Sequence, residues 1–181
     1  MSRSAVGFVV MRYVLPLIFL LATGCGRETG GLRRAVSAGD LAAVERAIDA
    51  EYPDVRQISP AELATMMEQQ RVILLDVRDE QEFAVSHLPS ARRVDENGPI
   101  DLRQPKDAQI VVYCSVGLRS SRFARRLAAE GFTHVASLRG SIFRWAIEGR
   151  PLSACPPDKP VVHPYNSSWG RLLPGELRAA L

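Results

Sequence analysis

The 181-residue chain is predicted to be an α/β protein with a central parallel sheet of about five strands and helices on both sides. Short apolar runs alternate with amphipathic segments of helical period, and runs such as residues 72–75 are apolar without interruption. Uninterrupted runs are typical of strands buried on both faces of a parallel sheet. With 46% hydrophobic residues, the chain can bury one ordinary core, so one domain with extensions is expected.

Predicted strands and helices alternate through the middle of the chain. Strands are expected at residues 55–58, 72–77, 91–94, 110–113 and 135–138. Helices are expected at residues 59–70, 79–85, 121–130 and 142–148. Ser59 followed by Pro60 is typical of an N-cap and the first helical position.

An N-terminal extension precedes this alternating region. Residues 26–31 are short, polar and glycine-rich, so they are expected to form a tether. Asp40 is suited to cap a helix after it. That helix carries Leu41, Val44 and Ile48 on one face.

A C-terminal tail follows the alternating region. Residues 153–181 contain five prolines and no periodic apolar pattern, so an irregular tail is predicted, with a helical turn possible near Glu176. Its large apolar side chains can dock the tail on the domain; they are Tyr165, Trp169, Leu172 and Leu173.

The composition argues against several classes of function. Of the 23 basic residues 21 are arginine, but they are scattered, the net charge is only +3, and no aromatic-interleaved basic stripe suggests nucleic acid. Three cysteines, at positions 25, 114 and 155, are too few and too far apart for a disulfide scaffold or a zinc site. The three histidines show no ligand spacing either. No nucleic acid, metal or cofactor is therefore expected.

Residues 114–120 are the candidate active-site segment. They follow the apolar run 110–113 and lead into an amphipathic helix, so Cys114 stands where backbone N–H groups converge and the helix dipole adds positive charge. Such a setting holds a thiolate, or a sulfur anion attached to it, without a separate base. Arg119 adds a full charge. The alternative is a buried cysteine that only packs.

Three ordered motifs surround this cysteine. Upstream stand Asp76-Val77-Arg78, Glu82-Phe83 and His87-Leu88-Pro89-Ser90-Ala91. The segment itself has the form C-x-x-G-x-R-S. Downstream stand Gly131-Phe132, Val135, Leu138, Gly140-Ser141-Ile142, Trp145, Gly149 and Pro151-Leu152. Over residues 55–152 the chain resembles the rhodanese-like (sulfurtransferase) family, except that Ser86 and Ser141 stand where the family has glycine, and serine is strained where φ must be positive.

The resemblance implies a three-layer rhodanese-like fold and a sulfurtransferase without a cofactor. Cys114 would attack the outer sulfur of a thiosulfate-like donor, and the anionic persulfide would lie on the amides of residues 115–119. A thiol or cyanide acceptor would then take the sulfur. The binding segment comprises Ser115, Val116, Gly117, Leu118, Arg119 and Ser120.

Charged residues near the segment receive supporting roles. Arg119 either attracts an anionic donor or caps the segment and faces solvent. Asp76 and Arg78, at the neighbouring strand end, are expected to support the loop through an ion pair and hydrogen bonds. The arginines of the following helix are expected to form a solvated face; they are Arg122, Arg125 and Arg126.

Three other functions are weighed against this interpretation. Relatives of the fold include dual-specificity phosphatases and arsenate reductases, whose loop is one residue longer and places arginine sixth after the cysteine. Arg119 is fifth after Cys114, which suits a pocket for one sulfur atom and argues against both activities. A non-catalytic or persulfide-carrier module that binds an envelope partner is the second alternative. A redox role through a Cys114–Cys155 disulfide is the third.

The N-terminus is predicted to be an export signal. Arg3 and Arg12 precede the apolar run 14–22, which is too short to span a bilayer. The following Ala22-Thr23-Gly24-Cys25 resembles the lipobox of bacterial lipoproteins, in which the cysteine is lipidated. A plain cleaved signal or an uncleaved anchor is the alternative, and translation can start at Met11 instead of Met1.

These observations predict four segments and a location. The segments are a signal peptide at 1–24, a tether and helical extension at 25–54, a rhodanese-like domain at 55–152 and a proline-rich tail at 153–181. Lipidation of Cys25 would anchor a monomeric protein on the periplasmic side of the cell envelope. Gly26 after the cysteine favours the outer membrane.

Overall fold

Five parallel strands form one sheet in the computed structural model, which describes residues 28–156 and 158–181. The strands are β1 (Arg56–Ile58), β2 (Ile73–Asp76), β3 (Arg92–Arg93), β4 (Ile110–Tyr113) and β5 (Val135–Leu138). They lie in the order β1-β5-β4-β2-β3, and all four pairings are parallel. The predicted α/β class and the parallel sheet are confirmed.

Helices cover the sheet and continue into both extensions. They are α1 (Glu28–Ala38), α2 (Leu41–Glu51), α3 (Pro60–Glu68), α4 (Glu80–Val85), α5 (Leu118–Ala129), α6 (Ser141–Ile147), α7 (Ser167–Gly170) and a 3₁₀ turn at Gly175–Leu177. Helix α5 begins three residues before its predicted start, because Gly117 at φ +117° forms its N-cap. Within the described part of the chain, no helix combines the length and apolarity needed to cross a membrane.

The central strand β4 presents alternate side chains to the two faces of the sheet. Ile110 and Val112 lie in an apolar cluster with α5, and Cys114 belongs to the same cluster. Val111 and Tyr113 lie in the larger cluster on the opposite face, with α1, α2 and α6. Because side chains alternate along a strand, the cysteine emerges on the α5 side at the carboxyl end of β4. This edge is where open α/β sheets place their sites.

Helix α2 forms as predicted. The Asp40 Oδ1 accepts a hydrogen bond from the Ala43 N–H at 2.9 Å, which caps the helix. Leu41, Val44 and Ile48 are all buried. The capped, amphipathic pattern therefore identified both the start of the helix and its packing face.

Helix α1 corrects the predicted tether. Residues 26–31 were expected to form a tether, but the helix begins at Glu28 and includes two glycines. Each glycine disfavours a helix by about 1 kcal/mol relative to alanine. Ala35 and Val36 are buried and α1 packs on α2, so tertiary contacts stabilise a helix that its local sequence does not favour.

The C-terminal tail docks on the domain, as its apolar residues indicated, but Tyr165, which was expected to help dock it, is exposed. The buried side chains of the tail are Val162, Pro164, Leu172 and Leu173. The prediction of an irregular tail is wrong at α7, where the Asn166 Oδ1 accepts hydrogen bonds from two backbone N–H groups and caps the helix. The turn expected near Glu176 is present as the 3₁₀ turn. Since α7 contacts α1, the two extensions meet.

Candidate active site

Cys114 lies at the bottom of the site, directly after β4. The residue is only 1% exposed. Its Sγ accepts a hydrogen bond from the Gly117 N–H at 3.2 Å. The hydroxyl oxygens of Ser120 and Ser141 lie 3.7 and 4.0 Å from the sulfur. Both hydroxyls already donate at 3.1 Å to backbone carbonyls, Ser120 to Gly117 and Ser141 to Leu138. The Gly117 N–H is therefore the donor that favours a negative charge on the sulfur.

Further backbone donors stand at the start of α5. In the described residues, the N–H groups of Val116, Leu118 and Arg119 donate to no protein acceptor. Orphan N–H groups and the positive end of the dipole are inherent to a helix N-terminus and together favour an anion there. Gly117 allows this turn because its φ of +117° is disfavoured for other residues. The predicted segment thus combines a thiol with several unoccupied donors.

Ser141 joins the ends of β4 and β5 beneath the cysteine. Its Oγ accepts a hydrogen bond from the Cys114 N–H at 3.1 Å and donates one to the Leu138 carbonyl at 3.1 Å. Its φ is +49°, so the strain expected for serine at a family glycine position is present here. Ser86, the other replacement, has an extended φ of −168° and carries no such strain.

Arg119 is held by the buried carboxylate of Glu82. Its two terminal nitrogens each lie 2.8 Å from one carboxylate oxygen, and Nη2 also donates to the Ser115 Oγ at 3.0 Å. The Ser115 hydroxyl in turn donates to Glu82 at 2.9 Å. The Arg119 side chain is 17% exposed and that of Glu82 only 2%. Of the two alternatives for Arg119, the one in which it faces solvent is therefore wrong, and its charge is paired with Glu82.

The two partners hold each other in their charged forms. Burial alone would raise the pKa of Glu82, but the hydrogen bonds and charge of Arg119 hold it below its ordinary value. Burial would lower the pKa of Arg119, but the hydrogen bond to Glu82 and the nearby charges of Cys114 and Glu82 raise it. This ion pair fixes the first turn of α5 and with it the shape of the cysteine loop.

Asp76 and Arg78 form a second, fully buried ion pair. The Arg78 Nη2 lies 2.7 Å from the Asp76 Oδ2, and neither side chain is exposed. The Arg78 guanidinium carbon also lies 5.7 Å from the centre of the Tyr113 ring. Among the described residues, no hydrogen bond or ion pair joins this pair to residues 115–120. It supports the end of β4 beside the cysteine rather than the loop itself.

The arginines farther along α5 form a solvated face, as predicted: Arg122 and Arg125 are exposed and Arg126 is partly buried. Arg122 also pairs with the Glu96 carboxylate at 2.8 Å, and Arg126 donates to the Glu96 backbone carbonyl. Arg125 pairs with Asp54 in the segment before β1. These contacts tie the exposed face of α5 to neighbouring loops.

A cleft of about 250 Å³ opens beside the sulfur. Its lining residues are Glu96, Cys114, Ser115, Val116, Leu118, Arg119, Arg122, Tyr165 and Trp169. The Tyr165 ring centre lies 4.9 Å from the guanidinium carbon of Arg119. The C-terminal tail therefore supplies part of the wall of the site.

The remaining predicted residues lie elsewhere. Cys155 is a free, partly exposed thiol that lines a different cleft from Cys114. Cys25 and the predicted export signal lie outside the described residues. Within residues 28–156 and 158–181, no group of three or more His, Cys, Asp or Glu side chains could hold a metal ion.

Sequence reasoning missed three contributions to the site. Glu82 carried a signal, because its spacing from Asp79 is that of a capping box, but the pairing with Arg119 was not predicted. The Ser141 hydroxyl was treated only as a lost glycine. Tyr165 and Trp169 were expected to dock the tail, and no local pattern indicated that they would reach the cysteine cleft.

Comparison with known proteins agrees with this arrangement. The sequence profile described as "Rhodanese-like domain" matches residues 59–148. A sulfurtransferase of Allochromatium vinosum is 36% identical over 85 residues, which cover 46% of this chain and 79% of that protein. The chain belongs to the rhodanese-like domain family.

Other similar proteins share the rhodanese-like domain with lower coverage or identity. A tRNA uridine(34) hydroxylase of Staphylococcus aureus is 30% identical over 118 residues, which cover 61% of this chain but only 36% of that protein. A solved structure from Bacillus halodurans has a TM-score of 0.50 and 25% identity, and the match covers 54% of this chain and 76% of that one. Helices α1 and α2 and the tail lie outside the profile-matched residues 59–148.

Proposed function

We propose that this rhodanese-like domain is a sulfurtransferase that passes a sulfane sulfur from a thiosulfate-like donor through a persulfide on Cys114. The observation that carries the proposal is the surrounding of the sulfur. The Gly117 N–H donates to it at 3.2 Å, and the N–H groups of Val116, Leu118 and Arg119 follow in the same segment with no protein acceptor among the described residues. Such backbone donors stabilise the attacking thiolate and then the anionic terminal sulfur of the persulfide.

The proposed reaction is a double displacement. The Cys114 thiolate attacks the outer sulfur of thiosulfate, the sulfur–sulfur bond of the donor breaks, and sulfite leaves with the bonding electron pair. The product is Cys114–S–S⁻. A thiolate or cyanide then attacks the terminal sulfur, and the bond to the cysteine breaks to regenerate its thiolate. One sulfane sulfur moves in each half-reaction, so no external oxidant or reductant is needed.

The geometry gives less support to the other candidate functions. A phosphatase of this fold would need a free guanidinium to bind the phosphate oxyanion. Arg119 instead forms a two-point ion pair with Glu82. A disulfide switch needs two adjacent thiols, but Cys114 and Cys155 line different clefts. A non-catalytic binding module does not require a cysteine next to several free backbone N–H groups. The hydroxylase relative is matched over only 36% of its length, so its activity gives no separate support.

We also propose that the domain is anchored through a lipidated Cys25 on the periplasmic side of the envelope, with the outer membrane favoured. The support is the sequence of residues 14–25, which combines a short apolar run with small residues before a cysteine. Two or more lipid chains on one cysteine would give stable anchoring, whereas a single chain gives only marginal binding.

One mass-spectrometric experiment tests both proposals. After thiosulfate treatment, the mature protein should carry one additional sulfur atom on Cys114 and should begin with a diacylated Cys25. Cys114→Ser should abolish thiosulfate-to-cyanide sulfur transfer while the circular dichroism spectrum stays unchanged. Cys155→Ser is the matched control and should keep full activity.

Two results would contradict these assignments separately. Residual transfer by Cys114→Ser, or a sulfur atom found on Cys155, would refute the persulfide assignment. A mature protein that begins downstream of Cys25 and stays in the soluble fraction would refute the lipid anchor and leave the sulfur chemistry untouched.

A further inference from the structure

The C-terminal tail places an unusual aromatic side chain at the mouth of the Cys114 cleft. Tyr165 is 46% exposed, although large aromatic residues gain most from burial. Its φ is +66°, a left-handed conformation that costs a non-glycine residue on the order of 1–3 kcal/mol and persists only where the surroundings impose it. Trp169 lines the same cleft from helix α7. The tail thus holds an exposed aromatic ring beside the Cys114 cleft, on a residue whose backbone is strained.

The charges around this cleft are already neutralised. Arg119 is paired with Glu82, and Arg122 lies 2.8 Å from the Glu96 carboxylate, which itself lines the cleft. Among the residues that line the cleft in the described chain, no guanidinium lacks a carboxylate partner. A strongly hydrated anionic group would therefore gain little beyond the backbone donors near the sulfur.

The rest of the wall is suited to an apolar group. Val116 and Leu118 lie on the cysteine segment, and Tyr165 and Trp169 come from the tail. Aromatic side chains bind apolar and aromatic groups through both burial and ring stacking. The cleft therefore offers an anion site at its base and an aromatic surface at its mouth.

We propose that Tyr165 and Trp169 are specificity-determining residues that select, as sulfur acceptor, an organic thiol whose reactive group is attached to an apolar or aromatic body. The inference rests on the proposed function, because it concerns discharge of the Cys114 persulfide. The acceptor thiolate R–S⁻ attacks the terminal sulfur, the bond between that sulfur and Cys114 breaks, and R–S–S⁻ leaves. The proton of the acceptor thiol goes to solvent, and the cysteine departs as thiolate.

The discharge half-reaction can be measured apart from donor binding. The full chain is first loaded with sulfur from thiosulfate and freed of excess donor. It is then mixed with benzyl mercaptan, 2-mercaptoethanesulfonate or cyanide, and the rate of persulfide loss is measured. For the two thiols, the rate constants are expressed per concentration of thiolate. The wild type should discharge faster to benzyl mercaptan than to the sulfonate. Tyr165→Ala and Trp169→Ala should each lower the ratio of the benzyl mercaptan rate constant to the cyanide rate constant about three- to tenfold.

Conservative and control variants separate ring contact from folding. Tyr165→Phe and Trp169→Phe keep an aromatic ring and should retain most of the preference for benzyl mercaptan. Leu181→Ala changes an exposed apolar residue of the same tail, 74% exposed and outside the cleft, and should match the wild type. Thermal unfolding of each variant reports whether the tail stays docked.

The outcomes distinguish this inference from the proposed function. Equal losses with benzyl mercaptan and cyanide would show that the rings only support the loop through Arg119, and the inference would be wrong. Equal wild-type rates with both thiols would also overturn it. A chain that acquires no sulfur from thiosulfate at all would refute the proposed function itself, and this inference with it.

Discussion

Replacing Glu82 by glutamine would test whether its ion pair with Arg119 supports the cysteine loop. The substitution keeps the shape of the side chain but removes its charge. The carboxylate accepts hydrogen bonds from the Arg119 guanidinium, the Ser115 hydroxyl and the Asp79 N–H, at 2.8 to 3.1 Å. In the variant, Arg119 keeps its charge in a site where its side chain is 17% exposed. The nearest remaining carboxylate is Asp79, at 3.9 Å.

The expected loss of unfolding free energy is about 3 kcal/mol near pH 7. Removing one partner of a buried pair costs about 3–5 kcal/mol, and the residual exposure of Arg119 favours the lower end of that range. For a chain of this size, such a loss lowers the midpoint of thermal unfolding by about 6–12 °C. Urea denaturation followed by tryptophan fluorescence measures the free energy directly.

The contribution of Glu82 to the unfolding free energy should depend on pH in a known direction. The folded protein holds the pKa of Glu82 below its ordinary value of 4.5, so its contribution to stability is fully present above about pH 5 and is lost as the pH falls through the folded-state pKa. Glutamine does not titrate. The stability gap between wild type and Glu82→Gln should therefore narrow as the pH falls below 4.5 and through the lower folded-state pKa.

Two further variants test whether the loss of stability comes from the unpaired charge of Arg119. Asp54→Asn removes the partner of Arg125 in an exposed pair and should change stability by no more than the measurement error. Adding Arg119→Met to Glu82→Gln removes the unpaired charge and should recover part of the loss. A Glu82→Gln effect as small as that of Asp54→Asn, or one that does not change with pH, would refute the proposed supporting role of the ion pair.

Two more substitutions probe the framework beneath the sulfur. By urea denaturation, the Ser141→Gly variant should be about 1 kcal/mol more stable than Ser141→Ala. Both variants lose the hydroxyl, but only glycine relieves the backbone strain at a φ of +49°. Equal stabilities of the two variants would contradict this strain. Tyr113→Phe should lower the unfolding free energy by about 1–3 kcal/mol, because the buried Leu88 N–H donates to the Tyr113 hydroxyl at 3.1 Å and would lose its acceptor. A neutral result would mean that another acceptor, such as water, replaces it.

The strands of the sheet were predictable because their signal is local. β4 and β5 were predicted to the residue. All four residues of β4 are apolar or aromatic and buried, and in β5 only Ser137 interrupts the apolar residues. Helix α2 was predictable for the same reason, from one capping aspartate and a periodic apolar face. Helix α1 was not, because its two glycines weaken the local signal and its stability comes from packing on α2.

In the candidate site, too, the local features were predictable and the long-range contacts were not. Cys114 and its donors follow from a strand, a short loop and a helix N-terminus, which are adjacent in sequence. The ion pair between Glu82 and Arg119 joins residues 37 positions apart, and only the folded sheet shows that they meet. The contact of Tyr165 with the cleft depends on how the tail docks, which apolar composition alone does not define. Local chemistry was therefore predictable, and the shape of the cleft was not.

Both extensions reach the cysteine loop or its cleft. Helix α2 packs against the loop, since the Ile48 Cδ1 lies 3.6 Å from the position that a Cβ on Gly117 would occupy. The same helix places Glu45 2.8 Å from Arg144 of α6, which follows Ser141. The tail brings Tyr165 to the cleft. Helix α1 contacts both α2 and α7, so the two extensions also contact each other. The cysteine loop thus lies within the profile-matched residues 59–148, while Tyr165 and Trp169, outside them, line the adjoining cleft.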